Sequence, residues 1–158
     1  MGQEIERKFL VRGDAWRTEN GIIIRQGYLH NEVDSNVRVR AKGKHAYLTI
    51  KGATVGITRL EFEYEIPLAD ANQMLDELCQ KPLIEKIRHN VQMGRFTWEV
   101  DEFLGENAGL VVAEIELDDE KQGFPRPDWV GKEVTDDARY LNANLVKNPY
   151  SNWGKNNR

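Results

Sequence analysis

With 158 residues, 40% hydrophobic and 30% charged, the chain can bury one substantial core and is too apolar for whole-chain disorder. No run of about 18 apolar residues occurs, which excludes a membrane-spanning helix, and the lone Cys79 excludes an internal disulfide. The net charge of -4 divides into +4 over residues 1–51 (ten Lys/Arg against six Asp/Glu) and -8 over the rest, so no basic face suits a nucleic-acid duplex. A start without a basic and then apolar stretch carries no visible secretory signal. Together with the single cysteine this leads to the expectation of a cytoplasmic protein.

Along the chain the dominant signal is alternation with period two, the mark of strands with one apolar face. From Glu4 to Val11, Glu4, Glu6 and Lys8 point opposite to Ile5, Phe9 and Val11. Gly13 to Glu19 reads as a short helix, and Ile22 to Leu29 as a second strand. Arg38, Arg40 and Lys42 then oppose Val37, Val39 and Ala41, and Tyr47, Thr49 and Lys51 oppose Ala46, Leu48 and Ile50. Arg59, Glu61, Glu63 and Glu65 alternate with Leu60, Phe62, Tyr64 and Ile66. A stripe of Ala71, Met74, Leu75 and Leu78 predicts a helix over 69–79, with Cys79 packed at its end. Lys86, Arg88 and Asn90 oppose Ile87, His89 and Val91; Thr97, Glu99 and Asp101 oppose Trp98 and Val100; Glu114, Glu116 and Asp118 oppose Ala113, Ile115 and Leu117. Gly123-Phe124-Pro125-Arg126-Pro127 interrupts regular structure, and a last helix is expected over 136–146 after acidic residues suited to a helix start. The pattern amounts to about eight largely antiparallel strands in one domain over residues 1–153, with a frayed tail over 154–158.

Two readings of the charged faces are open. They are the water side of an amphipathic sheet, or they converge. Acids and bases are segregated by strand: Glu4/Glu6, Glu61/Glu63/Glu65 and Glu114/Glu116 against Arg38/Arg40 and Lys86/Arg88. Carboxylates two apart on a strand share a face at about 7 Å. Brought to ~4 Å they repel by about 4 kcal/mol at an effective dielectric of about 20, which only a cation relieves. Hard ions such as Mg²⁺ or Mn²⁺ choose such oxygens. Converging Arg and Lys in turn demand an anion, and phosphate oxygens match the arginine fork. Period alone does not say whether the strands close around a cavity.

Glu4-Ile5-Glu6-Arg7-Lys8 resembles the ExExK signature of the CYTH superfamily, the triphosphate tunnel metalloenzymes, on the first strand as in that family. The later motifs follow in order: Arg38/Arg40, Lys51, Arg59/Glu61/Glu63, Lys86/Arg88 and Glu114/Glu116. Gly131-Lys132-Glu133-Val134-Thr135, with Tyr140, Asn142 and Leu145, is similar to its C-terminal segment, so the resemblance spans nearly all of residues 3–146. It implies an α+β fold: an eight-stranded antiparallel β-barrel whose charged interior forms a tunnel, with apolar faces outwards under flanking helices such as 69–79 and 136–146.

By that resemblance Glu4, Glu6, Glu61, Glu63, Glu114 and Glu116 are expected as metal-site acids for Mg²⁺ or Mn²⁺. Lys8, Arg38, Arg40, Lys51, Arg59, Lys86 and Arg88 are expected on the phosphates, with Glu4, Glu6 and Lys8 at the reacting centre. Asp101 is better read as the partner of a nearby base than as a ligand, Tyr28 as packing, and Lys42 and Glu65 as solvated strand ends. His30, His45 and His89 lack zinc-site spacing, and no G-x-S-x-G or Walker-type loop occurs. The expected activity is metal-dependent hydrolysis of inorganic triphosphate or a small organic triphosphate. A cyclase making cyclic AMP from ATP is the second reading, and a non-catalytic polyphosphate or nucleotide binder the third. A homodimer is compatible with the sequence.

Overall fold

The computed structural model describes residues 2–154. The alternating segments form β1 (Gln3–Val11), β2 (Ile22–Asn31), β3 (Ser35–Lys42), β4 (His45–Gly52), β5 (Thr58–Ile66), β6 (Ile84–Met93), β7 (Phe96–Phe103) and β8 (Val111–Glu116). A short β9 (Val130–Glu133) and two helices, α1 (Leu68–Glu77) and α2 (Asn142–Lys147), complete the set. The strands run in the order β5-β4-β3-β2-β6-β7-β8-β1, and β1 closes the ring on β5. Every pairing is antiparallel. Two tight hairpins have glycine where the backbone turns left-handed, Gly43 between β3 and β4 and Gly94 between β6 and β7. A side chain there would be strained.

Closure is narrowest between β1 and β5, where only Gln3, Glu4 and Ile5 find partners in Leu60, Arg59 and Thr58. Beyond that point β1 turns the same edge to β9, through Phe9 and Val11. β9 follows the Pro-rich interruption and was not foreseen in the sequence; four residues are too short to establish a period.

The apolar faces point outwards, as expected, and are covered in different ways. α1 lies over β3 and β4, burying Ala71 and Leu75 against Val39, Ala41 and Ala46, with Cys79 beside them. The outer face of β7, β8 and β1 is covered without a helix. Trp16 and the 124–130 segment pack there on Phe9, Trp98, Val100 and Ile115. On β5, Leu60, Phe62 and Tyr64 stay 59%, 46% and 57% exposed.

Three expectations need correction. Residues 13–19 form a turn and not a helix. The Thr18 backbone N–H is given to His89 Nδ1 at 3.1 Å, and Trp16 Nε1 donates to the Gly13 carbonyl, so no helical ladder can propagate. The helix expected over 136–146 is split into a 3-10 turn (Ala138–Tyr140) and α2, because Leu141 between them is extended (φ -67°, ψ 133°). That C-terminal part also does not lie on the outside. Tyr140, Leu145, Val146 and Trp153 pack on Tyr28, Ile84, Phe103 and Val112, which sit on the charged face of their strands. The segment therefore plugs one end of the barrel. Of the tail expected over 154–158, all but Gly154 lies outside the described residues.

Candidate active site

Register carries the charged residues to one place. Glu6 stands opposite Glu116 and Lys8 opposite Glu114 on β8; Glu4 stands opposite Arg59. Lys51 faces Glu61, Arg88 faces Asp101, and Glu99 faces Glu114. All these faces turn inwards on a cavity of about 280 Å³. Its wall contains every one of the predicted site residues: Glu4, Glu6, Lys8, Arg38, Arg40, Lys51, Arg59, Glu61, Glu63, Lys86, Arg88, Glu114 and Glu116. Eight barrel strands usually fill their interior with apolar side chains; here that role passes to the plug, and the middle of the barrel is ionic.

Charge is tied into three knots. Glu4 accepts from Lys51 at 2.9 Å and Arg59 at 3.1 Å, while Lys51 also reaches Glu61 at 3.2 Å. Lys8 lies between Glu114 (3.2 Å) and Glu6 (3.4 Å). At the plugged end Asp101 holds Lys86 at 2.7 Å and takes Arg88 in a two-bond fork at 2.8 and 2.9 Å. Asp101 thus acts as counter-charge, as the sequence favoured. Burial alone would raise its carboxyl; the Arg88 and Lys86 charges hold it at about 2. Burial raises the Glu6 carboxyl too, and the Lys8 and Lys51 ammoniums outweigh it, so Glu6 stays below the usual range.

What the knots leave over is informative. Arg38 is buried and its Nε has no partner among the described residues. Among the described residues Arg40 donates its Nε to the neutral Gln26 alone, at 3.2 Å. Burial, then the Arg38 and Arg88 charges, pushes the Arg40 guanidinium down to about 10, so this wall favours an anion. Across the cavity the reverse holds. Burial, then the Glu4, Glu61 and Glu6 charges, drives the Glu116 carboxyl up to about 7. Glu6 lies within hydrogen-bonding reach of Glu114, and Glu61 of Glu4; carboxylates so close share a proton or a cation. Lys51, Arg59 and Lys8 already hold four of these acids (Glu4, Glu61, Glu6 and Glu114), and no three His, Cys, Asp or Glu side chains converge on one point among the described residues. The acidic wall fits a hard divalent ion by its donor chemistry and its surplus negative field.

A profile of the CYTH domain matches residues 2–150. The chain belongs to the CYTH domain family. An inorganic triphosphatase of Acetivibrio thermocellus is 59% identical over 154 residues, 97% of this chain and 99% of that one. An inorganic triphosphatase of Nitrosomonas europaea is 35% identical over 148 residues, covering 90% and 96%. A crystal structure of an inorganic triphosphatase, 31% identical, superposes with a TM-score of 0.66 over 90% of this chain and 93% of that chain.

This CYTH domain also places residues in the wall that charge alternation did not assign. Lys42, expected to be solvated, lines the cavity, as do Asn36, Glu99, Leu141, Asn142 and Ala143. Tyr28 both lines the cavity and packs under the plug. Glu65 is solvated as expected, paired with His45 at 2.9 Å on the surface. His89 sits on the outer face and clamps the turn through Thr18 and Trp16. Glu99 was findable by extending the Thr97/Glu99/Asp101 face; Gln26 was not, since it carries no charge, and Asn142 entered the sequence reading only through the C-terminal segment similar to the family's, with no role attached.

Proposed function

We propose that the chain hydrolyses a phosphoanhydride bond of inorganic triphosphate, releasing phosphate, with a divalent metal as cofactor. The observation that carries this reading is a closed barrel lined by eight basic and seven acidic side chains. A lining so nearly balanced takes up a polyanion best when a cation accompanies it. The names of the 59% and 35% identical relatives support the same substrate.

The residue roles are proposed as follows. Arg38 and Arg40, which have no carboxylate partner within ion-pairing distance among the described residues, clamp phosphoryl oxygens, with Lys8, Lys51, Arg59, Lys86 and Arg88 around them. Glu4, Glu6, Glu61, Glu63, Glu114 and Glu116 form the metal side. When bound, Mg²⁺ or Mn²⁺ supplies Lewis-acid neutralisation of charge on the phosphoryl oxygens. The chain's own share is positioning and electrostatics, which is most of what phosphoryl transfer needs. A water oxygen attacks the terminal phosphorus as its bond to the bridging oxygen breaks. Glu6, kept ionised by Lys8, or Glu4 accepts the water proton. Lys8, between Glu6 and Glu114, faces the charge that develops there.

The cavity wall is polar apart from Tyr28, Leu141 and Ala143, a poor bed for a purine, which weighs against the cyclase reading. The acidic wall weighs against a non-catalytic anion binder. We take residues 1–153 as one working unit in the cytoplasm. The exposed Leu60, Phe62 and Tyr64 row is where a second copy would pack, a point that sedimentation decides. The decisive assay is phosphate release from tripolyphosphate, ATP and thiamine triphosphate with Mg²⁺ or Mn²⁺, with chromatography of the products. No release from any of them sinks the hydrolase, and cyclic AMP from ATP replaces it with the cyclase.

A further inference from the structure

Two neutral amides sit among the buried charges at the plugged end. Gln26 on β2 is fully buried, and Asn142 is the first residue of α2, on the face of the plug that borders the cavity. Gln26 Oε1 accepts from Arg40 at 3.2 Å, and Gln26 Nε2 donates to Asn142 Oδ1 at 3.1 Å. The same Oδ1 accepts from Lys86 Nζ at 3.0 Å. A guanidinium can only donate, so Arg40 fixes Gln26 with its oxygen towards Arg40 and its NH₂ towards Asn142, and this in turn fixes the Asn142 carboxamide with its oxygen towards Gln26 and Lys86 and its NH₂ turned away. That NH₂ makes no hydrogen bond among the described residues.

Neutrality is the telling feature. Burial, then the Arg88 and Arg40 charges, pushes the Lys86 ammonium down against the pull of Asp101, and burial, then the Arg38 and Arg88 charges, does the same to Arg40. A third carboxylate beside them would steady the cluster and at the same time cancel the field that draws an anion. An amide oxygen holds Lys86 in place and leaves its charge available.

Resting on the triphosphate reading above, we propose that Asn142 is a substrate-positioning residue: its NH₂ donates to an oxygen of the bound phosphate chain, while its Oδ1, backed by Gln26, sets Lys86 and Arg40 at the closed end of the tunnel. The role is separable from mere anchoring of the plug. In Asn142→Asp both acceptor bonds, to Gln26 and Lys86, can persist, so an anchoring role predicts wild-type melting. Its carboxylate weakens anion binding by charge alone, so the donor itself is read from Asn142→Ala added to Lys86→Met, where a residue acting only through Lys86 has no further effect. A positioning role predicts a further loss of affinity for tripolyphosphate in that background, since the NH₂ donor to the phosphate is removed, and unchanged affinity there overturns the proposal.

The experiment compares wild type, Asn142→Ala, Asn142→Asp, and Lys86→Met with and without Asn142→Ala, by calorimetric affinity for tripolyphosphate without added metal, by KM and kcat with Mg²⁺, and by thermal melting. Loss of a hydrogen bond to a charged group predicts about tenfold weaker binding and a higher KM for Asn142→Ala, with kcat within about threefold. Asn142→Asp should bind more weakly still while melting no lower than wild type. Wild-type affinity in Asn142→Asp overturns the proposal. If that variant does not fold, Asn142→Leu, of similar size and lacking both donor and acceptor, must match the loss in Asn142→Ala, and unchanged affinity there overturns it equally. Wild type that binds tripolyphosphate without releasing phosphate refutes the hydrolase reading, and the affinity ranking still decides Asn142.

Discussion

A buried arginine without a carboxylate is costly unless something anionic visits it. Arg38, whose Nε has no partner among the described residues, is therefore the sharpest place to test anion binding. Arg38→Ala should raise KM for tripolyphosphate by about ten- to hundredfold, the worth of a hydrogen bond to a charged group, with little change in urea stability. Lys86 makes a second prediction. Burial pushes its ammonium down to about 7 despite Asp101, so at pH 8 most of it is neutral. An incoming polyanion favours the charged form, and binding should take up protons, seen as a dependence of calorimetric enthalpy on buffer ionisation heat. Asp101 makes a third. Its folded pKa is depressed, so its contribution to stability is present above the unfolded value of about 3.9 and is lost as pH falls towards about 2. Asp101→Asn should cost about 3–5 kcal/mol in urea unfolding at pH 7, since two buried cations lose their counter-charge, and the difference should shrink in acid. At this scale the charged lining was legible because strand period puts alternate residues on one face. Gln26 was silent because an uncharged residue on such a face looks the same whether it faces a ligand or water, and the place of Asn142 in the wall was silent because it lies on α2, outside the alternating strands.

Elements were read best where pattern and burial agree. α1 follows its Ala71, Met74, Leu75 and Leu78 stripe onto β3 and β4, and the fully buried Leu75 is its anchor. Leu75→Ala should cost about 2–5 kcal/mol in urea unfolding, whereas Phe62→Ser on the uncovered face of β5 should stay within about 0.5 kcal/mol. Near-equal effects would mean that β5 is covered in solution. The misread elements share a cause. At residues 13–19 and around Leu141, local propensity favoured helix, and tertiary partners claimed the backbone or bent it: His89 took the Thr18 N–H, and the seat of the plug on the barrel end set Leu141 extended.

For the whole molecule, the ionic interior is cross-linked by its own pairs, such as Lys51 with Glu4 and Arg88 with Asp101. Activity and stability should therefore part. Chelation with EDTA is expected to abolish phosphate release and leave the melting temperature nearly unchanged, and Mg²⁺ or Mn²⁺ should restore turnover. A large drop in melting temperature would show instead that the ion holds the barrel together. The sequence by itself determined the eight barrel strands and the segregated charge on one face of each, because these depend on period and residue type; that this face turns inwards it implied only through its resemblance to the CYTH family. Tertiary structure alone decided that β1 closes on β5, that the C-terminal segment plugs one end, and which cations lie next to which acids. Those facts depend on long-range register and packing between residues far apart in the chain, such as Gln26 and Asn142, 116 positions apart, and no local pattern encodes them.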